Sequence, residues 1–408
     1  MNTQIIKTEK MVSGGNCLTK IDGKNIFVPQ SLPNEKLAVT VVETTKDYDI
    51  AEIVEILEPS PNRVKPFCPY YGKCGGCSLQ IADAEYQRTL RKEILAEIFV
   101  RNNVAIPTIE VVYGSEKGYR NRFQFHNGGL KNRRGNEIVQ LSYCPLAHEE
   151  INGLLASGVL RRDTPAKYAQ RVHVFGSEKI IGEDKILYVG DLPKAPPKTT
   201  GNKKKNVKTG GKRTIYSGTT ISQDSLCTLQ LLDKTVQFDV RGFFQSNLEV
   251  LEKTIPLICE DFYGDNLLDM YSGVGTLSLF ASSNFNHTTL VEHNRDAVVY
   301  GEYNLQGIPH ESYGLSGEKW IQQPNSRYYD GVLIDPPRSG MEKSVLQWLI
   351  AHKPKKIRSL SCDPVTHGRD CAFLVSHGYA ITRLVLTDFY PQTSHIESLA
   401  FLEYVGNT

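Results

Sequence analysis

Two short segments near the carboxyl end of the chain carry side chains suited to covalent chemistry. Ser361-Cys362-Asp363-Pro364 presents a thiol directly after an apolar stretch, and Pro391-Gln392-Thr393-Ser394-His395-Ile396-Glu397-Ser398 places an imidazole and a carboxyl group two positions apart. A thiolate can add to C6 of a pyrimidine and make C5 nucleophilic, which is otherwise a poor reaction centre. The C5 proton must later leave, and His395 and Glu397 are both candidates to accept it. A lone cysteine after a strand is more often inert packing, so its neighbours decide its meaning.

One neighbour is Asp335-Pro336-Pro337-Arg338, where the proline pair fixes a rigid turn and holds the aspartate at a strand end. Another is Leu267-Leu268-Asp269-Met270-Tyr271-Ser272-Gly273-Val274-Gly275-Thr276-Leu277, which reads as a strand, a glycine loop and the start of a helix. Gly273 and Gly275 permit a tight turn and close approach to a ligand. A nicotinamide fingerprint wants a third glycine, but position 278 is Ser. Glu292 stands about twenty residues further on, where a carboxylate can accept hydrogen bonds from ribose hydroxyls. Together these segments resemble the first two motifs of class I S-adenosylmethionine methyltransferases, with a nucleotide-binding or purely structural turn as the alternative. In amino-group methyltransferases the turn comparable to 335–338 usually ends in an aromatic residue; Arg338 argues against an exocyclic nitrogen as target.

A separate cluster lies upstream. Cys68, Cys74 and Cys77 sit in and before the turn Cys74-Gly75-Gly76-Cys77, and Cys144-Pro145 supplies a fourth thiol. Tight thiolate spacing with small residues between suits a four-thiolate metal site, for which an iron–sulfur cluster and zinc are rivals on spacing alone. The nine cysteines are an odd number, which points away from a framework of disulfides.

From Phe243 onward the chain resembles the RNA uridine-5-methyltransferase family. Phe243-Phe244-Gln245-Ser246-Asn247, the glycine loop, Asp335-Pro336-Pro337-Arg338-Ser339-Gly340, Ser361-Cys362-Asp363-Pro364 and His395-Ile396-Glu397-Ser398 follow that family's order and spacing. The resemblance implies that Gln245, Tyr271, Gly273, Gly275, Glu292 and Asp335 bind S-adenosylmethionine, that Cys362 is the nucleophile and that Glu397 accepts the proton. It also implies a [4Fe-4S] cluster on Cys68, Cys74, Cys77 and Cys144, as in members acting on 23S ribosomal RNA. The first 60 residues resemble a TRAM domain, an RNA-binding barrel related in shape to OB-folds. Ser272 departs from relatives that often carry cysteine there, and nothing in the chemistry depends on it. The resemblance is weakest from about 150 to 235. The implied activity is methylation of a uridine C5 in RNA, with 23S ribosomal RNA as partner and no obligate protein partner. A transfer-RNA enzyme of the same mechanism is the alternative, and an RNA-binding iron–sulfur protein with an inactive methyltransferase domain is a rival of another class.

These side chains need elements to position them. Residues 25–28, 36–42 and 50–57 read as strands separated by turn residues, the pattern of a small β-barrel over 1–60. Residues 82–103 have helical apolar spacing with Asp83 as cap, and the helix is a candidate to pack on the catalytic part. The stretch 61–240 is expected to be a mixed, strand-rich central domain, with 171–175 and 185–189 as its clearest strands. Beyond 240, apolar runs at 266–270, 289–292, 331–335 and 357–361 alternate with helical stretches, giving a Rossmann-like α/β domain over 241–408.

At 408 residues the chain exceeds one ordinary core, and its 40% apolar and 23% charged residues match globular proteins. No apolar run is long enough to span a bilayer, and the N-terminal stretch lacks a secretory apolar region, so a cytoplasmic location and no membrane partner are expected. The 47 basic and 45 acidic residues nearly balance. Local runs say more. Arg120, Arg122, Lys131, Arg133 and Arg134, interleaved with Tyr119, Phe123 and Phe125, suit phosphate neutralisation and base stacking. The lysine-rich stretch 194–213 suits phosphate contact equally with a solvated loop, and has no counterpart in the family.

Overall fold

The computed structural model describes residues 3–162, 171–191, 223–324 and 327–406. The lysine-rich stretch 194–213 lies outside them.

Six strands form the first unit: β1 (Gln4–Lys7), β2 (Lys10–Met11), β3 (Cys17–Ile21), β4 (Lys24–Val28), β5 (Lys36–Thr44) and β6 (Tyr48–Glu58). Their order is β1-β5-β6-β4-β3-β2. The two edges are thus consecutive halves of one bent strand, so the sheet closes on itself around Ile6, Ile26, Val28, Leu37, Val39 and Ala51. Thr8 marks the bend, its amide donating to Glu35 O at 2.9 Å and its hydroxyl to Leu32 O at 2.6 Å.

Helix α1 (Ala84–Arg101) follows, capped by Asp83, whose side chain accepts from Tyr86 N. Next come β7 (Glu110–Val112), β8 (Arg122–Phe125), β9 (Gly129–Lys131), β10 (Ile138–Gln140), α2 (Glu149–Ser157), α3 (Val159–Arg162), β11 (Val172–Gly176) and β12 (Ile186–Gly190). Strands β12-β11-β8 form one sheet and β9-β10 a hairpin. Alternation along β8 sends Phe123 and Phe125 into the core beside Val172 and Val174, and Tyr119 is 5% exposed. These three rings therefore do not offer faces to bases, which corrects the stacking expectation. Strands β13 (Leu226–Leu231) and β14 (Lys234–Asp239) form a further hairpin.

The remainder alternates: α4 (Leu248–Cys259), β15 (Gly264–Met270), α5 (Thr276–Ala281), β16 (Phe285–Val291), α6 (Arg295–Asn304), β17 (His310–Tyr313), α7 (Gly317–Trp320), β18 (Gly331–Ile334), α8 (Lys343–His352), β19 (Lys356–Ser361), α9 (Pro364–Val375), β20 (Tyr379–Thr387) and β21 (Glu397–Tyr404). The sheet order is β17-β16-β15-β18-β19-β21-β20-β7. β15 to β19 run parallel, and β21 is inserted antiparallel between β19 and β20. Among the described residues no helix is long and apolar enough to cross a membrane.

Two elements from the stretch 61–240 join this sheet rather than standing apart. β7 adds an eighth strand beside β20. Three residues, Glu110 exposed and Val111 and Val112 half-buried, are too few to show a period, so the sequence carries no signal for it. Helix α1 presents Leu90, Ile94, Leu95 and Phe99 to the same core as β19 and β20. Its Arg91 Nη1 donates to Asp388 Oδ1 at 2.5 Å, and each of the two side chains is 2% exposed. Removing one partner strands the other charge in a water-free site. Arg91→Met is expected to lower stability by about 3–5 kcal/mol, and Arg91→Met with Asp388→Leu to recover most of it. Thermal denaturation of the three proteins checks this; a single variant as stable as the parent rules out a structural role for the pair.

Candidate active site

Site residues fall at the carboxyl ends of neighbouring strands. Tyr271 follows β15, Glu292 follows β16, Asp335 follows β18 and Cys362 follows β19. The ladder pairs Met270 with Val291 and with Ile334, so these positions share one rim of the sheet. β21 enters that rim from the opposite direction. Its second residue, Ser398, pairs with Ser361, which puts Glu397 across from Cys362.

The glycine loop is bound to the next strand end. Tyr271 N and Ser272 N donate to Val291 O, and Gly273 N donates to a Glu292 carboxylate oxygen at 3.0 Å, the other oxygen accepting from Asn294 N at 2.6 Å. The two glycines differ. A Cβ at Gly275 would lie 2.9 Å from Leu305 Cδ1, so this residue (φ +75°) lets α5 pack on α6, whereas a Cβ at Gly273 (φ +55°) meets nothing within 4 Å and faces open space. Tyr271, at φ +67°, has its phenol committed to the Glu342 carboxylate.

Gln245 reaches the site from the segment before α4. Asn121 N donates to Ser246 O at 2.8 Å and Asn247 Nδ2 donates to Phe389 O at 3.1 Å, fixing the segment on both sides. Gln245 Oε1 is buried with no hydrogen-bond partner among the described residues, and so is Glu397 Oε2. Orphaned buried acceptors of this kind point to a ligand that supplies donors.

The four upstream cysteines come together. Cys68, Cys74, Cys77 and Cys144 all line one cavity of about 460 Å³, with Arg120 and Arg133 on its wall. Burial pushes the Cys77 thiol up to about 12, with the other three cysteines adding, and also raises Cys74 and Cys144. Among the described residues no three histidine, cysteine or carboxylate side chains are grouped closely enough to hold a single metal ion. One tetrahedral zinc would draw its sulfurs to within about 4 Å of one another, given Zn–S bonds of about 2.3 Å.

Comparison with known proteins bears on the whole chain. Residues 323–405, which include Asp335, Cys362 and Glu397, match the family model tRNA (Uracil-5-)-methyltransferase. An RNA methyltransferase of Treponema denticola is 37% identical, with 98% of each chain covered. The chain belongs to the RNA uracil-5-methyltransferase family. Another relative, the 23S rRNA (uracil(1939)-C(5))-methyltransferase of Shewanella sediminis, is 27% identical over 98% of this chain and 95% of that one. The fold is shared with the Pyrococcus abyssi tRNA (uracil-54, C5)-methyltransferase solved with S-adenosyl-L-homocysteine: TM-score 0.72, 22% identity, and coverage of 98% of this chain and 100% of that one.

In this member of the family the rim is strongly acidic. Burial pushes Asp269 up to about 7, with Asp335 and Glu292 adding, and burial with Glu292 does the same for Asp335. Burial and Asp335 raise Glu397 well above the ordinary carboxylate range, against the pull of Arg338. The packed surroundings of His395, then Arg338, Arg120 and Arg91, lower its imidazole. Asp269 receives the Ser278 hydroxyl and braces the glycine loop from below. Its role was not legible in the sequence, nor was that of Arg338 as a cation acting on both Cys362 and Glu397, because neither depends on a recognisable spacing.

Burial pushes the Cys362 thiol up to about 11, with Glu397 and Asp335 adding and Arg338 opposing. The group is therefore a thiol at neutral pH in the free protein. Its alkylation by iodoacetamide should rise about tenfold per pH unit from about pH 7 to about pH 10, because only the thiolate reacts. Arg338→Ala should slow the reaction at each pH in this range. Mass spectrometry of Cys362 reads both, and a rate that is flat across the range would show that the thiolate is already formed.

Proposed function

We propose that the protein methylates C5 of a uridine in 23S ribosomal RNA, in the cytoplasm, using S-adenosylmethionine. The observation that carries this reading is the placement of Cys362 and Glu397 across the β19–β21 ladder on one rim with Asp335. Support for the cofactor comes from the orphaned Gln245 Oε1, the open side of Gly273 and the acidic rim formed by Asp335, Glu292 and Asp269. A sulfonium is a cation, and such a rim favours one. Gln245, Tyr271, Gly273, Gly275, Glu292 and Asp335 would hold the cofactor, which supplies an electrophilic methyl group when bound.

The steps assigned to the chain balance as follows. The target uridine leaves its stack to reach the rim. Cys362 gives its proton to solvent water and its sulfur adds to C6, the C5–C6 π electrons moving toward the C4 carbonyl oxygen, which makes C5 nucleophilic toward the methyl group. With C5 then tetrahedral, Glu397 takes the C5 proton, the C5–C6 double bond re-forms and the Cys362 sulfur leaves C6. Once ionised, a carboxylate whose pKa is raised is the stronger base for that step.

The N-terminal barrel is read as a TRAM-like RNA-binding module over 1–60, the stretch 61–240 as the cysteine-bearing centre and 241–408 as the catalytic part. Cys68, Cys74, Cys77 and Cys144 would hold a [4Fe-4S] cluster in a structural role. Support for this reading is that the four thiols share one cavity. Support for ribosomal RNA comes from the whole-length match to the Shewanella sediminis enzyme. Mapping 5-methyluridine in ribosomal and transfer RNA from cells lacking the protein separates the two substrates.

Replacing Cys74 by Ser should release the iron and impair folding or RNA binding. Full iron content in that variant would remove Cys74 from the ligand set. Glu397→Gln should accumulate a methylated protein–RNA adduct that survives denaturation, whereas Cys362→Ala should give neither adduct nor product. Normal turnover by Glu397→Gln would pass the proton to His395 or water and leave Cys362 in place.

A further inference from the structure

The loop between β20 and β21 leads directly into Glu397, and Gln392 is its most heavily bonded residue. Gln392 has φ +70° and is 2% exposed. Its amide donates to Gln87 Oε1 at 2.8 Å, and its side-chain oxygen accepts from Gln87 Nε2 at 2.8 Å. Its carbonyl accepts from Ser78 N and Leu79 N, each at 3.1 Å. Ser78 directly follows Cys77, which lines the thiol cavity. Gln87, fully buried, also donates to Leu79 O and Ala82 O and accepts from Arg91 Nη2, so one side chain ties the cysteine-bearing turn, α1 and the loop together.

We propose that Gln87 and Gln392 form a positioning junction through which the cysteine-bearing turn sets the loop that presents Glu397. Glu397 is the terminal residue of its ladder, paired with Thr387, and a strand end frays unless the chain before it is held. The left-handed backbone of Gln392 is a strained conformation that persists only where surrounding bonds fix it. Four hydrogen bonds converge there, and two of them come from the residues following Cys77. Disturbance of the thiol cavity is therefore transmitted to proton removal and not to the glycine loop, since Gly273 and Glu292 are bonded to each other at the β16 end, away from the β20–β21 loop. The inference rests on Glu397 being the proton acceptor.

The test uses the full-length protein, labelled S-adenosylmethionine and total RNA from cells lacking the protein. Gln87→Leu should lower kcat at least about tenfold, leave the KM for the cofactor within about twofold and enrich the denaturation-resistant methylated adduct. Gln87→Glu keeps the acceptor used by Gln392 N and Arg91 but sets a carboxyl oxygen against Leu79 O, Ala82 O and Gln392 Oε1, and should recover only part of the turnover. Should Gln87→Leu fail to fold, Gln392→Met deletes only the side-chain acceptor and should show the same split on a smaller scale, about threefold in kcat. Equal effects on kcat and KM, or a loss of turnover without adduct, would overturn the junction. Glu397→Gln run in parallel keeps the two ideas apart: absence of adduct there sinks the proton-acceptor reading itself, whereas adduct there and none in Gln87→Leu sinks only the junction.

Discussion

The antiparallel insertion of β21 between β19 and β20 is the constraint on which the rest of the site depends. A purely parallel sheet would bring only strand ends to this rim, each followed by a loop into a helix. By reversing direction, β21 brings a strand beginning to the same edge, so Glu397 stands across from Cys362, one position beyond the Ser361–Ser398 pair and paired with Thr387 on its other side. In the proposed mechanism a nucleophile and a proton acceptor face one base, and sites built on strands hold such groups more precisely than sites built on loops.

This geometry has an electrostatic consequence. Asp269, Asp335, Glu292 and Glu397 are gathered around a partly dry rim, where burial raises Asp269 and Asp335 to about 7 and Glu397 well above the ordinary carboxylate range. Like charges that cannot all ionise leave the free site protonated in part, and a cationic ligand would draw protons away. The same field raises the Cys362 thiol, with Arg338 as the cation that opposes it. The acids proposed to favour a cationic cofactor thus disfavour the thiolate, and Arg338, at the turn after Asp335, opposes that effect.

Holding the loop before Glu397 engages nearly every other part of the molecule. Tyr119 Oη donates to Pro391 O at 3.0 Å, Asn247 reaches Phe389 O, Arg91 pairs with Asp388 and Gln87 clasps Gln392. Even the N-terminal barrel leans on it. A Cβ at Gly15 would lie 2.6 Å from Ser394 Cβ, so glycine at that loop of the barrel permits the contact. The parts of the chain are therefore assembled around the loop, which explains why α1 and β7, early in sequence, are built into the carboxyl-terminal sheet.

The sequence alone determined the alternating strands and helices beyond 240, three of the six strands of the barrel, the Asp83-capped helix and the residue types at Cys362, Glu397, Asp335 and the glycine loop. Each is written locally: a period of two or 3.6, a cap, a glycine pair or a rigid proline turn constrains only a few consecutive residues. The tertiary structure decided what locality does not encode. It placed Glu397 across from Cys362, joined four cysteines up to 76 positions apart around one cavity, and turned Phe123 and Phe125 inward where the sequence had suggested stacking surfaces. It also revealed the Gln87–Gln392 and Arg91–Asp388 pairs, separated by 305 and 297 residues. Glutamine, arginine and aspartate are ordinarily surface residues. Only burial makes each of their hydrogen bonds obligatory, and burial is a property of the folded chain.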